Sequence, residues 1–219
     1  MKIYKIMINH FRKLNGHLLL TAFFVGHLLI VLSFSIAGEK GISIAEAFAK
    51  KSDETRPVIY LEELEKRIHD LVNQERKKQG LGSLDWNSKL SRIARLHSQD
   101  MASRNYFSHE NPDGRNFNDR YRQQGFSCWL KAGLGRYTLG GENLFQNNLY
   151  RSVTHIKSAG TVRIIYSWNT SEQIARSTVA GWMKSPGHRK NILQPYWKTE
   201  GIGIAISSDD KVLITQNFC

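Results

Sequence analysis

The chain has 219 residues, 41% of them hydrophobic and 23% charged, with a formal charge of +12. That size leaves room for one domain of ordinary size plus an appendage, since single cores serve roughly 100 to 200 residues. The basic balance admits an anionic partner, but four of the cations, Lys2, Lys5, Arg12 and Lys13, stand at the extreme N-terminus. No basic stripe interleaved with stacking aromatics and no groove-reading motif is present, which argues against a nucleic-acid partner and leaves only a weak attraction to anionic lipid or wall polymer.

The first element is Leu18 to Ala37, LLLTAFFVGHLLIVLSFSIA, almost wholly apolar behind those cations. Ser35-Ile36-Ala37 offers a small-residue exit, as a signal peptide needs, whereas about 20 apolar residues also suffice for a spanning helix with its basic flank inside. A cleaved signal and a retained anchor both fit residues 1–37, and both place the remainder of the chain outside the cytoplasm. His27 within the run is read as a tolerated neutral imidazole. Residues 38–57 read as a linker, with a short helix conceivable over Ile42 to Lys51.

The folded region is then 58–219. Leu61, Leu64, Ile68, Leu71 and Val72 recur at helical intervals and Gly80 stops the pattern, which predicts an amphipathic helix. A second helix is predicted after Asp85, with Asn87 as N-cap and Leu90, Ile93, Ala94, His97 and Met101 on one face. His97 is therefore read as a hydrogen-bonded core histidine. Phe117 to Gln124 predicts a third, shorter helix ending at Gly125, and Phe126 to Gly141 reads mostly as glycine-rich loop. Asn147 to Asn169 is irregular, although Thr161 to Trp168 alternates enough for a short strand or hairpin arm.

Thr170 and Gln173 form a capping box for a further half-buried helix through Ile174, Val179, Trp182 and Met183. Ser185 is placed to cap a short helix that begins at Pro186, carries His188 in its first turn and cannot pass Pro195. Gly201 to Ile206 and Val212 to Phe218 are β-rich runs joined by Ser207-Ser208-Asp209-Asp210, a hairpin signal. Helices ahead of terminal strands imply an α+β sandwich. Cys128 and Cys219 are the two cysteines. In an exported protein they are expected to form one disulfide, against the alternative of two unpaired thiols.

Three turn-rich contexts carry side chains fit for chemistry: Tyr106-Phe107-Ser108-His109, Gly141-Glu142-Asn143 and Ser185-Pro186-Gly187-His188-Arg189. Two imidazoles and a carboxylate can hold a divalent cation such as zinc and leave a position for an activated water. The separations are too wide for a local ligand motif. The competing reading is that His109 and His188 both hydrogen-bond to Glu142 and organise the fold.

The order of these segments resembles the CAP superfamily, the cysteine-rich secretory, antigen 5 and pathogenesis-related proteins, and its microbial SCP-like members in particular. The resemblance runs from Leu71-Val72-Asn73 and Arg76 through Leu84-Asp85-Trp86-Asn87, His97-Ser98-Gln99-Asp100-Met101, Tyr106-Phe107-Ser108-His109 and Gly141-Glu142-Asn143-Leu144. It continues through Gly181-Trp182-Met183-Lys184-Ser185-Pro186-Gly187-His188-Arg189-Lys190-Asn191-Ile192-Leu193 and Gly201-Ile202-Gly203 to Thr215-Gln216-Asn217-Phe218. It implies a three-layer α-β-α sandwich with a central antiparallel sheet and a cleft holding two histidines and two acids.

His109, Glu142 and His188 match three of those four. In many eukaryotic members the fourth acid stands after an aromatic pair shortly before the second histidine, where this chain has Trp182-Met183-Lys184-Ser185. The missing carboxylate weakens cation binding and removes a candidate general base, so no residue is assigned a catalytic role. Ser185 reads as a cap, and Ser108 has no third residue completing a triad. The resemblance then implies an extracytoplasmic protein, secreted or anchored to the outer face of the membrane, that binds an apolar ligand, lipid or extracellular partner through the cleft and requires no cofactor. The alternatives are a zinc-dependent, protease-like hydrolase with His109, Glu142 and His188 as ligands, or a structural envelope protein.

Overall fold

The computed structural model describes residues 55–158 and 160–219; the N-terminal apolar segment, residues 38–54 of the linker and the short helix considered within it lie outside the described residues. Helix α1, Leu61–Lys78, buries Leu64, Ile68, Leu71 and Val72. Gly80 comes after it at φ +69°, a conformation that favours glycine. Two ionic residues are also buried on α1. Glu65 is held by Arg95 and by the backbone N–H of Ile204, and Arg76 donates to the carbonyls of Gly82, Ile192 and Gln194. A buried charge costs little only when partnered in this way.

Strand β1, Asp85–Trp86, leads into α2, Ser88–Arg104, whose N-cap Asn87 accepts from the N–H groups of Lys89 and Leu90. Helix α3, Phe117–Gln123, begins with a capping box between Asn116 and Asp119. The glycine-rich stretch contains a two-residue pair, β2 (Leu130–Lys131) and β3 (Tyr137–Thr138). Strand β4, Gly141–Asn148, leads to a hairpin of β5, Tyr150–Ser158, and β6, Thr161–Trp168. The sequence pattern misses β5 because nearly all its residues are exposed, so no alternation marks it.

Helix α4, Ser171–Lys184, has the predicted Thr170/Gln173 capping box, and α5 is Pro186–Ile192. Ser185 ends α4 and occupies the N-cap of α5, but its side chain makes no capping bond, which corrects the predicted role. Proline at the first position of α5 removes one N–H that would need a cap. The terminal hairpin is β7, Thr199–Ile206, and β8, Lys211–Phe218.

The central sheet runs β1-β7-β8-β4, antiparallel except for the short parallel contact of β1 with β7. Alternation along β7 separates two layers. Ile202 and Ile204 pack in a core with Leu64 and Leu71 of α1 and Ile174 and Trp182 of α4. Gly201 and Gly203 face α2 instead. A Cβ at Gly203 would lie 1.9 Å from the Arg95 nitrogen, and one at Gly201 2.1 Å from that of Ser91. Only glycine permits this approach, and it brings Ser91 and Ser98 hydroxyls onto the carbonyls of Ile202 and Gly203. The result is the expected three-layer α+β sandwich. Cys128 and Cys219 are bridged with Cα atoms 5.6 Å apart, fastening the glycine-rich loop to the end of β8. Closing 91 residues of separation this way is worth about 2–5 kcal/mol.

Candidate functional site

Strand β4 forms one edge of the sheet, and successive residues on it reach opposite layers. Glu142 pairs across β8 with Asn217 and faces the α2/α3 side; Asn143 pairs with Gln216 and faces α4 and α5. The candidate site wraps around this edge.

Glu142 is 1% exposed at its side chain, and both carboxylate oxygens are engaged. His109 Nδ1 lies 2.9 Å from Oε1, and an Arg120 amino group donates to Oε2 at 2.6 Å. Since a carboxylate accepts, His109 donates through Nδ1–H, from a side chain 55% exposed. Arg120, on α3, also donates to the carbonyls of His109 at 3.0 Å and Arg115 at 2.9 Å. One guanidinium thus fixes the carboxylate and the backbone that carries the imidazole.

The loop bearing His109 is tied from below. His97 Nε2 is 3.0 Å from the Ser108 carbonyl and therefore donates to it, while the Tyr106 hydroxyl donates to Asp100 at 2.6 Å. Burial pushes the His97 pKa down to about 4, so the ring is neutral at pH 7. The Tyr106 hydroxyl is pushed up, by burial first and by Asp100 second. The Ser108 hydroxyl accepts the Glu110 N–H.

On the other face, the Asn143 side chain donates to the His188 carbonyl at 3.2 Å and to Gln216 at 3.0 Å, and Asn191 donates to Asn143 at 2.9 Å. Gln216 donates in turn to buried Glu200, which also meets His69 Nδ1 at 2.6 Å. This buried polar chain sets the start of α5. Burial lowers the His188 pKa, and the charge of His109 lowers it further, so the two imidazoles feel each other. No hydrogen bond among the described residues joins the His188 ring to Glu142. The structure therefore brings His109 onto the carboxylate and leaves His188 within electrostatic reach only.

The donor set fits a metal poorly. The buried Glu142 carboxylate has its charge paired with Arg120 and bonded to His109, and among the described residues no group of three His, Cys, Asp or Glu side chains is gathered to hold an ion. Sequence reasoning missed Arg120, which sits in the hydrophilic stretch FNDRYRQ and carries no spacing that separates it from surface arginines.

The sequence profile of the CAP family, the cysteine-rich secretory protein family, matches residues 69–218. The uncharacterized protein YkwD of Bacillus subtilis is 31% identical over 183 residues, 83% of this chain and 57% of that protein. An extracellular protein containing a SCP domain from Bacillus anthracis superposes with a TM-score of 0.51 at 24% identity, covering 79% of this chain and 49% of the other. An outer surface protein of Borrelia burgdorferi superposes with a TM-score of 0.53 at 16% identity, covering 75% of this chain and 97% of the other. The chain thus spans about half the length of its two Bacillus relatives. By the profile match and the three-layer fold, the chain belongs to the CAP family.

Proposed function

We propose that this CAP domain works outside the cytoplasm as a binding module, taking an amphiphilic ligand or an extracellular partner at the His109 edge of the cleft. The observation that carries this is the double engagement of Glu142: a buried carboxylate clamped between Arg120 and His109 acts as an orienting group for the imidazole. What the site offers outward is the imidazole of His109, on a side chain 55% exposed, in a loop that also carries Phe107, 46% exposed. Those groups suit a ligand with an apolar body and a hydrogen-bonding group. An export reading is supported by the apolar N-terminal run, by the disulfide and by two structural neighbours that are an extracellular and an outer surface protein.

The test is calorimetry with zinc and a screen of envelope lipids and peptides, run on the full chain and on His109→Ala and His188→Ala. Ligand capture abolished by His109→Ala in a protein of unchanged stability supports binding. Stoichiometric zinc uptake together with peptide cleavage would replace it with the hydrolase. A His188→Ala protein that loses several kcal/mol while affinity per folded molecule is retained would show that this histidine is structural.

A further inference from the structure

Among the described residues, hairpin β5–β6 forms a two-stranded sheet of its own, with no ladder to a strand of the central sheet. An isolated two-stranded hairpin is at best marginally stable in water, so a hairpin of this length needs a surface to pack on. Register partners share a face: Val153 with Tyr166, His155 with Ile164 and Lys157 with Val162. On that face Val162 is 57% exposed, Ile164 48% and Tyr166 36%. Toward the base, Tyr166 stacks on Trp168 at 4.9 Å and meets Tyr150 edge-on at 5.6 Å. Aliphatic side chains thus lie toward the tip and aromatic rings behind them.

Charge narrows what can cover this face. Arg151, Lys157 and Arg163 are exposed, with His155 beside them, and no acid occurs from Asn143 to Ser171. A second copy of the hairpin would bring like charges together, whereas an anionic surface is complementary. Lys157 and His155 share the apolar face, while Arg163, paired with Ile156, and Arg151, bonded to Ser167, stand on the opposite face of the thin hairpin. Exposed aliphatics and interfacial aromatics with a lysine among them, on a basic hairpin without acids, are what an anionic bilayer interface selects.

We infer that hairpin β5–β6 is an interfacial membrane-binding element that lays its Val162/Ile164/Tyr166 face into the headgroup region of an anionic phospholipid bilayer. The inference is independent of the cleft. It accounts for a hairpin that leaves apolar side chains uncovered.

The test uses the full chain reconstituted in vesicles of phosphatidylcholine alone or of phosphatidylcholine mixed with phosphatidylglycerol. The cations beside the N-terminal apolar run also respond to anionic lipid, so the readout is confined to the hairpin. Hydrogen exchange of peptides covering 150–168 slows roughly tenfold in the anionic vesicles only, each cation contributing about fivefold to partitioning. Combined Arg151→Gln, Lys157→Gln and Arg163→Gln removes that slowing, as does Val162→Ser with Ile164→Ser, while peptides from β7 and β8 keep their protection and show that both variants are folded. Equal exchange in the two vesicle types would overturn the inference. So would lipid-independent protection that grows with protein concentration, which marks a second copy, or equal protection by soluble polyphosphate, which marks a polyanion site without need of the apolar face.

Discussion

Arg120 reaches Glu142 from α3 at 2.6 Å, with the two side chains 8% and 1% exposed, so the ion pair at the heart of the cleft is buried. Its strength lies in geometry. The same guanidinium satisfies two backbone carbonyls, and the second carboxylate oxygen is taken by His109. Breaking such a pair from one side leaves an uncompensated charge out of water, which costs about 3–5 kcal/mol. Arg120→Met is therefore expected to lose that much in urea unfolding. The double variant Arg120→Met with Glu142→Met should recover most of it while leaving His109 without its orienting partner. Equal losses in single and double variants would show that the carbonyl bonds, and not the ion pair, hold the site.

How α2 seats on the sheet gives a second expectation. A methyl group at Gly203 would meet backbone, the nitrogen of Arg95, well inside contact distance, and backbone cannot rotate away as a flexible side chain can. Gly203→Ala should lift α2 from β7, break the Ser98 hydroxyl bonds to the Gly203 carbonyl and to Thr215, and cost about 3 kcal/mol or more. The thermal midpoint of the purified variant checks it. Gly187, whose added Cβ would meet nothing within 4 Å, is the control and should stay within ~1 kcal/mol of the parent.

The contrast between those two glycines bears on what a sequence can disclose. The buried faces of α1 and α2 were readable because Leu64, Ile68, Leu90 and Ile93 repeat at the helical period, and all four are buried. His109 and Glu142 were readable as a pair through their resemblance to a family pattern, while their hydrogen bond required the geometry of β4. Arg120 was not, because a guanidinium on a short polar helix looks the same in sequence whether it faces solvent or a carboxylate. Asn143 and Gln216 were visible as parts of motifs without a role, since the chain from Glu200 to the His188 carbonyl joins residues from three strands and a helix. Hairpin β5–β6 was hidden for the opposite reason: it buries too little to impose a period.

His97 supplies the last expectation, through its protonation. Its folded pKa of about 4 lies below the ordinary histidine value, because burial disfavours the charged ring by more than Glu142 and the donor bond to the Ser108 carbonyl favour it. Between those two values the unfolded chain binds a proton that the folded chain refuses. Stability from this group is therefore complete above about pH 6.5 and is lost as pH falls toward 4, by roughly 2 kcal/mol at pH 5. His97→Gln keeps a side-chain donor without a titrating ring, so its unfolding free energy should fall less between pH 7 and 5 than that of the parent, with the difference measured in parallel urea titrations. Because His97 holds the Ser108 carbonyl, one residue from His109, local opening that lets the ring take a proton is favoured in that window, and the protection factors of the Ser108 to Asn111 amides, corrected for the intrinsic pH dependence of exchange, should fall before global unfolding. Identical pH dependence in the parent and His97→Gln would move the acid sensitivity to another group.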